Sequence, residues 1–347
     1  MINSKSDAKK EKRFFAIFLI IVLIVGAGLF LWGQYNGAYQ VFNAGFFRYD
    51  LAKVRNADAA WKLTEEEQAR RDELLGEAVE WKSAAGGERR TFSAVTVGDE
   101  ENGVPTLELA YDVYDQGSDT TVIILHGYDE STAEAEIFAP YWWDKGFNVM
   151  IPELRGHRGD DMEPTTFGVW ESLDLYDMIC AEGLDSPDTR LIVCGRSIGG
   201  DAALLLAENE ELGRGGIDLI VAETVYTDMK TYELRCLRHQ FNLGNIFVGE
   251  ILDTLCKRGF GFEPEEINIR AKAVVTDVPA VFLAADEKVV GGDMTTTVYD
   301  AWGGEKKLVW LDSGRYPSVY ADALDSGRYD AAVSALLELT ELTKEEK

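Results

Sequence analysis

The hydrophobic pattern of the chain begins with an uncharged apolar run that covers residues 14–33. About twenty such residues are the length that a helix needs to cross a bilayer. Five basic and two acidic residues precede the run within residues 1–13, and this bias predicts a cytoplasmic N-terminus and an extracytoplasmic main domain. A cleaved signal peptide, with small residues at 26–28, is the alternative. Apolar residues resume at Leu29, which favours an uncleaved anchor.

Residues 34–90 form a second section, which we predict to be a stalk followed by a membrane-proximal helix. The helix begins with a capping box, in which Thr64 is followed three residues later by Glu67. It is expected to run to about Lys82. Two stretches of alternating polarity follow, at 88–97 and 106–114, and they predict an antiparallel hairpin at the edge of a sheet.

From residue 121 onwards, short apolar runs alternate with helical patterns. This order predicts an α/β domain over residues 91–347, with a mostly parallel central sheet and helices on both faces. Residues 229–278 are patterned as helices only, and an insertion at this place is expected to form a lid over the carboxyl ends of the strands. The predicted strands are 121–125, 147–151, 191–194, 217–222, 280–284 and 307–311. The predicted helices include 132–145, 168–182 and 329–342.

The formal net charge of −27 adds a strongly acidic surface to this picture. Such a surface repels nucleic acid, so we expect no nucleic-acid partner and membrane contact only through the N-terminal helix. Four cysteines are too few for a disulfide scaffold. Cys236 and Cys256 lie in the helical insertion. They form either a disulfide or two buried thiols, and the sequence does not decide between these alternatives.

The candidate chemistry lies in residues 191–204, which read LIVCGRSIGGDAAL. A β-branched apolar run leads into Gly-Arg-Ser-Ile-Gly and then into a strong helix former. Strand, G-x-S-x-G and helix in this order predict a nucleophile elbow, with Ser197 exposed above the sheet at a helix N-terminus. An ordinary Gly-rich turn between a strand and a helix is the alternative interpretation.

With several further motifs, residues 121–342 resemble the α/β-hydrolase superfamily, and most of all its bacterial membrane-anchored branch near the serine aminopeptidases and acyl esterases. The resemblance implies the α/β-hydrolase fold, a serine hydrolase activity, and neither a cofactor nor a metal. The motifs that carry it are His126-Gly127, Arg155-Gly156-His157, the Ser197 elbow, and Pro279 before a strand.

The resemblance also implies an oxyanion hole made of two backbone N–H groups. These belong to Ile198, after the nucleophile, and to Tyr128, after the His-Gly turn. Two donors directed at one oxygen stabilise the negative charge of a tetrahedral intermediate. His126 and His157 are expected to be structural residues of their loops.

The triad acid is implied to follow the strand that ends at residue 284. Asp286 is the candidate acid if the loop after this strand is two residues shorter here than in the family. If the loop has the family's length, Lys288 stands at the position of the acid instead. Glu287 and Glu223, the latter just after the preceding strand, are the other candidates. Solvated loop carboxylates with no catalytic role are the alternative on so acidic a chain.

The triad base is the residue in which this chain departs from the family pattern. Tyr316 stands at the position of the triad histidine, and no histidine follows His239 in the chain. A serine hydroxyl is a poor nucleophile without a base, and tyrosine, with an ordinary pKa near 10, is mostly protonated at neutral pH. The other candidate bases are Lys288, in a Ser–Lys pair, and His239, reaching down from the lid.

Two functions are consistent with these patterns. The first is a membrane-anchored extracytoplasmic serine hydrolase that acts on an ester, thioester or amide of a small-molecule, peptide or acyl substrate through Ser197. The second is a catalytically impaired pseudoenzyme of the same fold, with Tyr316 in place of the histidine, that binds a ligand or partner. A structural envelope protein without a pocket is disfavoured, because a strained elbow would then have no use.

Overall fold

The computed structural model describes residues 3–47, 64–97, 106–157, 163–186, 188–207, 216–239, 248–285, 290–311 and 326–345. Within these ranges, eight strands form one sheet with helices on both faces. The strands are β1 (Glu88–Ala94), β2 (Leu107–Tyr114), β3 (Thr120–Leu125), β4 (Asn148–Pro152), β5 (Arg190–Arg196), β6 (Leu219–Glu223), β7 (Ala280–Ala285) and β8 (Lys306–Leu311).

The sheet runs in the order β1-β2-β4-β3-β5-β6-β7-β8. β2 pairs antiparallel with both β1 and β4, and the other neighbours pair in parallel. The predicted edge hairpin and the mostly parallel α/β sheet are thereby confirmed. Strands β3 and β7 are buried along their whole length, because a parallel sheet covered on both faces requires continuous apolar runs.

The helices of the described part fall mostly where the pattern predicts them. One helix was expected over residues 132–145, but the structure has two, since Pro140 in the first turn of the second lacks the N–H that would continue the first. The helices are α1 (Asn3–Phe46), α2 (Glu65–Ala85), α3 (Thr132–Glu136), α4 (Ala139–Asp144), α5 (Val169–Ala181), α6 (Ile198–Leu206), α7 (Met229–His239), α8 (Val248–Phe260), α9 (Ile269–Ala273), α10 (Gly291–Ala301) and α11 (Arg328–Glu345).

Helix α2 begins at the predicted capping box. The Glu67 N–H donates to the Thr64 hydroxyl at 3.2 Å, and the Thr64 N–H donates to the Glu67 carboxylate at 2.7 Å. Leu74 and Ala78 are the buried residues of the helix, and they pack in the layer that contains Trp142 of α4. The charged helix is therefore laid against the α/β domain.

The predicted lid insertion follows β6. Its described part holds α7, α8, a 3-10 turn at Pro264–Glu266 and α9, and it contains no strand. α7 and α8 are amphipathic, and their buried residues include Leu237 and Leu252. Both leucines belong to the main apolar core of the molecule.

Helix α1 changes its surroundings along its length. Its large apolar side chains from Phe15 to Trp32 are exposed, and among the described helices it alone is long and apolar enough to cross a membrane, with a mean hydropathy of 2.9. The helix then continues without a break to Phe46, and Ala38 and Phe42 are buried in the core of the domain. The first part of the predicted stalk is thus a helix that packs on the α/β domain.

Candidate active site

The predicted elbow is present in the structure. β5 ends at Arg196, α6 begins at Ile198, and Ser197 joins them with φ 52° and ψ −123°. Its N–H donates to the carbonyl oxygen of Glu223 at 2.9 Å, and its carbonyl oxygen accepts from the N–H of Asp201 at 2.9 Å. A non-glycine residue at positive φ is strained, and these two bonds hold the strained backbone in place.

The glycines around Ser197 are needed for close packing. A Cβ on Gly195 would lie 2.2 Å from the backbone of Gly199, and a Cβ on Gly199 would lie 2.7 Å from the carbonyl oxygen of His126. Helix α6 therefore rests directly on β5 and on the turn after β3. No side chain fits between them.

The two segments that would supply the oxyanion hole lie side by side. β3 and β5 are parallel neighbours, with Leu125 opposite Gly195, so the turn that carries Tyr128 emerges next to the elbow. Ile198 is the first residue of α6, where backbone N–H groups have no intrahelical acceptor. The fold thus brings the predicted donor segments of Tyr128 and Ile198 to the same edge of the sheet.

His126 and His157 are buried and bonded to the backbone. The Nε2 atom of His126 accepts from the N–H of Leu154 at 3.1 Å, and its Nδ1 lies 3.0 Å from the carbonyl oxygen of Gly127. The Nδ1 atom of His157 lies 2.8 Å from the carbonyl oxygen of Arg155, and its Nε2 accepts from the N–H of Asp129 at 3.4 Å. These contacts agree with the expected structural roles.

The other residues proposed for proton transfer fall in different places. Asp286, Glu287, Lys288 and Tyr316 lie outside the described residues, so their roles stay predictions. His239, the candidate lid base, is an exposed residue at the C-terminal end of α7.

The cysteines of the insertion are free thiols. Cys256 is buried and Cys236 is half-buried, so of the two alternatives left open by the sequence the structure has the thiols. Burial raises the pKa of the Cys256 thiol, which keeps it protonated and unreactive at neutral pH.

No family model matches the chain. A carboxylesterase of Bacillus subtilis is 30% identical over 95 residues, which are 26% of this chain and 37% of that protein. The esterase Pf2001 of Pyrococcus furiosus is similar in structure, with a TM-score of 0.54 and 20% identity over 74% of this chain and 93% of that one. A bacterial membrane phospholipase A gives a TM-score of 0.50 and 14% identity over 77% and 92%. The chain has the α/β-hydrolase fold.

Within this α/β-hydrolase fold, a charged cluster joins the elbow to residues 126–130, the turn after β3 that carries the candidate oxyanion donor Tyr128 and is called the oxyanion turn below. Arg196, the residue before the nucleophile position, forms ion pairs with Glu223, at 3.1 Å, and with Glu130. Glu130 also accepts a hydrogen bond from the N–H of Gly127 at 2.7 Å. One guanidinium thus connects both loops that would supply oxyanion donors, a connection that the sequence analysis missed.

Glu223, one of the candidate acids, has this guanidinium as its partner. It is only 2% exposed, and burial raises the pKa of its carboxyl while Arg196 opposes the rise. Its Oε2 atom has no hydrogen-bond partner among the described residues. An arginine stays protonated in proteins, so the Glu223 carboxyl group has a permanent cation beside it.

Arg196→Met is expected to lower the free energy of unfolding by about 3–5 kcal/mol at pH 8, because it leaves the Glu223 carboxylate buried without its cation. The pKa of Glu223 is already raised by burial and should rise further. A raised folded-state pKa means that the folded protein keeps a proton which the unfolded protein releases, so stability falls as pH rises. The deficit should therefore shrink towards pH 5, as thermal unfolding at both pH values would measure.

The matched control is Arg90→Met. Arg90 pairs with Glu88 and Glu182 in a more exposed setting, so its loss should cost about 1 kcal/mol or less, with little dependence on pH. An Arg196→Met deficit that is the same at pH 5 and pH 8 would contradict the role given to Glu223.

An apolar pocket borders the turn after β3 through Tyr128. It has a volume of about 530 Å³, part of it open to solvent, and it is lined by Tyr128, Phe167, the end of α1 and the helices α7 and α8. The Tyr128 ring stacks on Phe167 with centroids 5.4 Å apart. The residue that would donate to the oxyanion therefore also forms a wall of the pocket.

Proposed function

We propose that the chain is a membrane-anchored extracytoplasmic serine hydrolase that cleaves an ester, thioester or amide. The observation that carries the proposal is the backbone of Ser197, held at φ 52° and ψ −123° between β5 and α6. Strain of this kind clusters at active sites. The carboxylesterase, the esterase and the membrane phospholipase A to which the chain is similar support the same class of reaction.

The chemistry follows from the elbow. The Ser197 hydroxyl attacks the substrate carbonyl carbon, and the oxyanion that forms accepts hydrogen bonds from the N–H groups of Ile198 and Tyr128. Each such donor is typically worth about 3–4 kcal/mol in the transition state. The base takes the proton of the Ser197 hydroxyl and passes it to the leaving group, which departs as the C–O or C–N bond (or, in a thioester, the C–S bond) breaks. Water then attacks the acyl-enzyme, the acid is released, and a proton of that water restores the Ser197 hydroxyl. Asp286 and Tyr316 are the residues proposed for the acid and for the position of the base.

The anchor is proposed to be α1. Its exposed apolar stretch has the length and composition of a membrane span, and the basic residues before it favour a cytoplasmic N-terminus. The α/β-hydrolase domain would then lie outside the cell membrane. The net charge of −27 disfavours nucleic acid as a partner there.

A pseudoenzyme that binds a ligand or partner is the second candidate. Two observations favour it: Tyr316 stands at the histidine position of the resemblance, and the buried imidazoles of His126 and His157 are bonded to the backbone. In a studied serine protease, loss of the histidine costs about 10⁶ in turnover. Any activity of this chain would accordingly be slow.

Labelling of the full-length protein with a fluorophosphonate probe tests the proposal. The probe reacts with a nucleophilic serine, so we expect covalent labelling of the wild type and none of Ser197→Ala. The matched control is Ser83→Ala, an exposed serine on α2, which should label as the wild type does. If the folded wild-type protein shows no Ser197-dependent labelling, the hydrolase proposal is wrong and the pseudoenzyme is the remaining candidate.

A further inference from the structure

The last turn of α1 contacts the oxyanion turn of the candidate active site. The Tyr128 hydroxyl donates to the carbonyl oxygens of Gly45, at 2.8 Å, and Ala44, at 3.2 Å. The carbonyl oxygen of Phe46 accepts from the N–H of Thr165 at 2.8 Å. The oxyanion turn is thus bonded directly to the helix that carries the candidate membrane span.

Aromatic packing fixes this end of α1 against the lid. The ring of Phe46 lies 4.8 Å from that of Phe260 in α8 and 5.1 Å from that of Phe167, measured between centroids. Phe42 stacks on the same Phe260 at 5.4 Å. The space enclosed between α1, α7 and α8 is the apolar pocket, to which α1 contributes Val41, Gly45 and Phe46.

The lining of the pocket is largely apolar, with Glu233 as its one carboxyl group and Tyr128 and Tyr232 as its hydroxyl-bearing side chains. Glu233 of α7 has both carboxylate oxygens buried without a hydrogen-bond partner among the described residues. Burial raises its pKa to about 8, against the opposing effect of Lys230, which lies 3.7 Å away and also pairs with Asp253. Burial thus favours the neutral form of the Glu233 carboxyl group.

We propose that this pocket holds one acyl chain of a membrane lipid, with the end of the anchor helix as its wall. A peptide would bring backbone N–H and C=O groups that need partners when buried, and the lining has little to offer them. A hydrocarbon chain needs none. The claim that the pocket binds the acyl chain of a substrate rests on the proposed hydrolase activity. The claim that the pocket binds a lipid chain does not.

The membrane is the expected source of the chain because of where the pocket lies along α1. Val41 is eight residues beyond the end of the apolar run, which is about 12 Å along a helix that rises 1.5 Å per residue. The polar interface of a bilayer extends about 5–7 Å beyond its hydrocarbon core. An unbroken helix thus leads from the lipid to the pocket, and along the helix axis Val41 is about 5–7 Å further from the lipid than the headgroup region.

The test places a larger side chain in the pocket by a substitution in α1. Gly45 lines the pocket, and a Cβ there meets no atom within 4 Å, so Gly45→Leu should fold and occupy the space of the chain. Gly37→Leu is the matched control, because Gly37 lies on the same helix with equally open surroundings and does not line the pocket. The exchange improves helix propensity equally at both positions.

The first readout is the hydrolysis of p-nitrophenyl esters from acetate to laurate by the full-length protein. Each added methylene should raise kcat/KM by up to about fourfold, the equivalent of one buried CH₂. Gly45→Leu should reduce the laurate-to-acetate ratio of kcat/KM at least tenfold, and Gly37→Leu should leave that ratio unchanged. An unchanged ratio in Gly45→Leu would overturn the proposal.

The second readout does not need catalysis. Binding of 11-(dansylamino)undecanoic acid to Ser197→Ala is followed by fluorescence, alone and combined with each glycine variant. Gly45→Leu should raise the Kd at least tenfold and Gly37→Leu less than twofold. Equal affinities of the two glycine variants would overturn the proposal that the pocket binds the chain. If no ester is cleaved but this pattern holds, the hydrolase proposal fails and the lipid-binding pocket stands.

The source of the chain is tested with vesicles of phosphatidylcholine into which the full-length protein is reconstituted. Ser197-dependent release of fatty acid, reduced in Gly45→Leu, supports a lipid taken from the bilayer. Cleavage of soluble laurate esters without release from the vesicles would overturn the membrane source.

Discussion

Gly195→Ala is expected to lower the free energy of unfolding by more than about 4 kcal/mol and to prevent accumulation of folded protein. The new Cβ would lie 2.2 Å from the carbonyl carbon and oxygen of Gly199 and 2.5 Å from the nitrogen of Gly200. These are backbone atoms at the junction of β5 and α6, so no side chain can move aside. Interiors are packed as densely as organic crystals, and α6 would have to shift as a whole.

Thermal unfolding and the yield of folded protein measure this effect. The matched control is Gly76→Ala in α2, where a Cβ meets nothing within 4 Å and the helix should gain up to about 1 kcal/mol from the better helix former. A Gly195→Ala protein as stable as the wild type would mean that the elbow is not packed as the structure has it.

Tyr316→His is expected to raise the rate of ester hydrolysis by about 10²–10⁴, the contribution of a well-placed general base. An imidazole with a pKa near 6.5 accepts the proton of Ser197 at neutral pH, whereas tyrosine does not. The gain should appear as pH rises through about 6.5, because only the neutral imidazole is a base. Steady-state kinetics of the full-length protein from pH 5 to 8 measure both effects.

Two further variants decide what such a gain means. Tyr316→Phe should stay at or below the wild-type rate, since it supplies no base, and Ser197→Ala combined with Tyr316→His should lose the gain entirely. A folded Tyr316→His protein without any gain would argue that the acid, or the alignment of this loop, departs further from the family than Tyr316 alone.

The elbow and the sheet could be predicted because their signals are local. Residues 191–194 carry the β-branched pattern of a buried strand and the following glycines mark a sharp turn, so the expected strand lies within the observed β5 (Arg190–Arg196). The candidate oxyanion segments came from the resemblance, and they lie side by side because β3 and β5 are parallel neighbours. The resemblance to the α/β-hydrolase superfamily added which turn residues matter.

The ion-pair cluster could not be predicted because it depends on the register between strands. Arg196 lies opposite Glu223 only when β5 and β6 pair as they do, and Glu130 approaches from a loop after a third strand. The continuation of α1 had a readable signal that the sequence analysis did not use. Ala38, Val41 and Phe42 are spaced as one face of a helix, and this is the face that the structure buries.

The burial of the last turns of α1 sets a limit on where the protein can be cut. Ala38, Val41, Phe42 and Phe46 belong to the same apolar core as the strands, so the folded domain starts well before the capping box at Thr64. Proteolytic release at residues 26–28 would leave the wall of the pocket attached to the liberated domain. Release beyond Ala38 would remove core residues of α1, and release beyond Phe46 would also expose Phe260 and remove the two carbonyl groups that hold Tyr128. A secreted form and a membrane-bound form can therefore share one site only if the cut falls before residue 38.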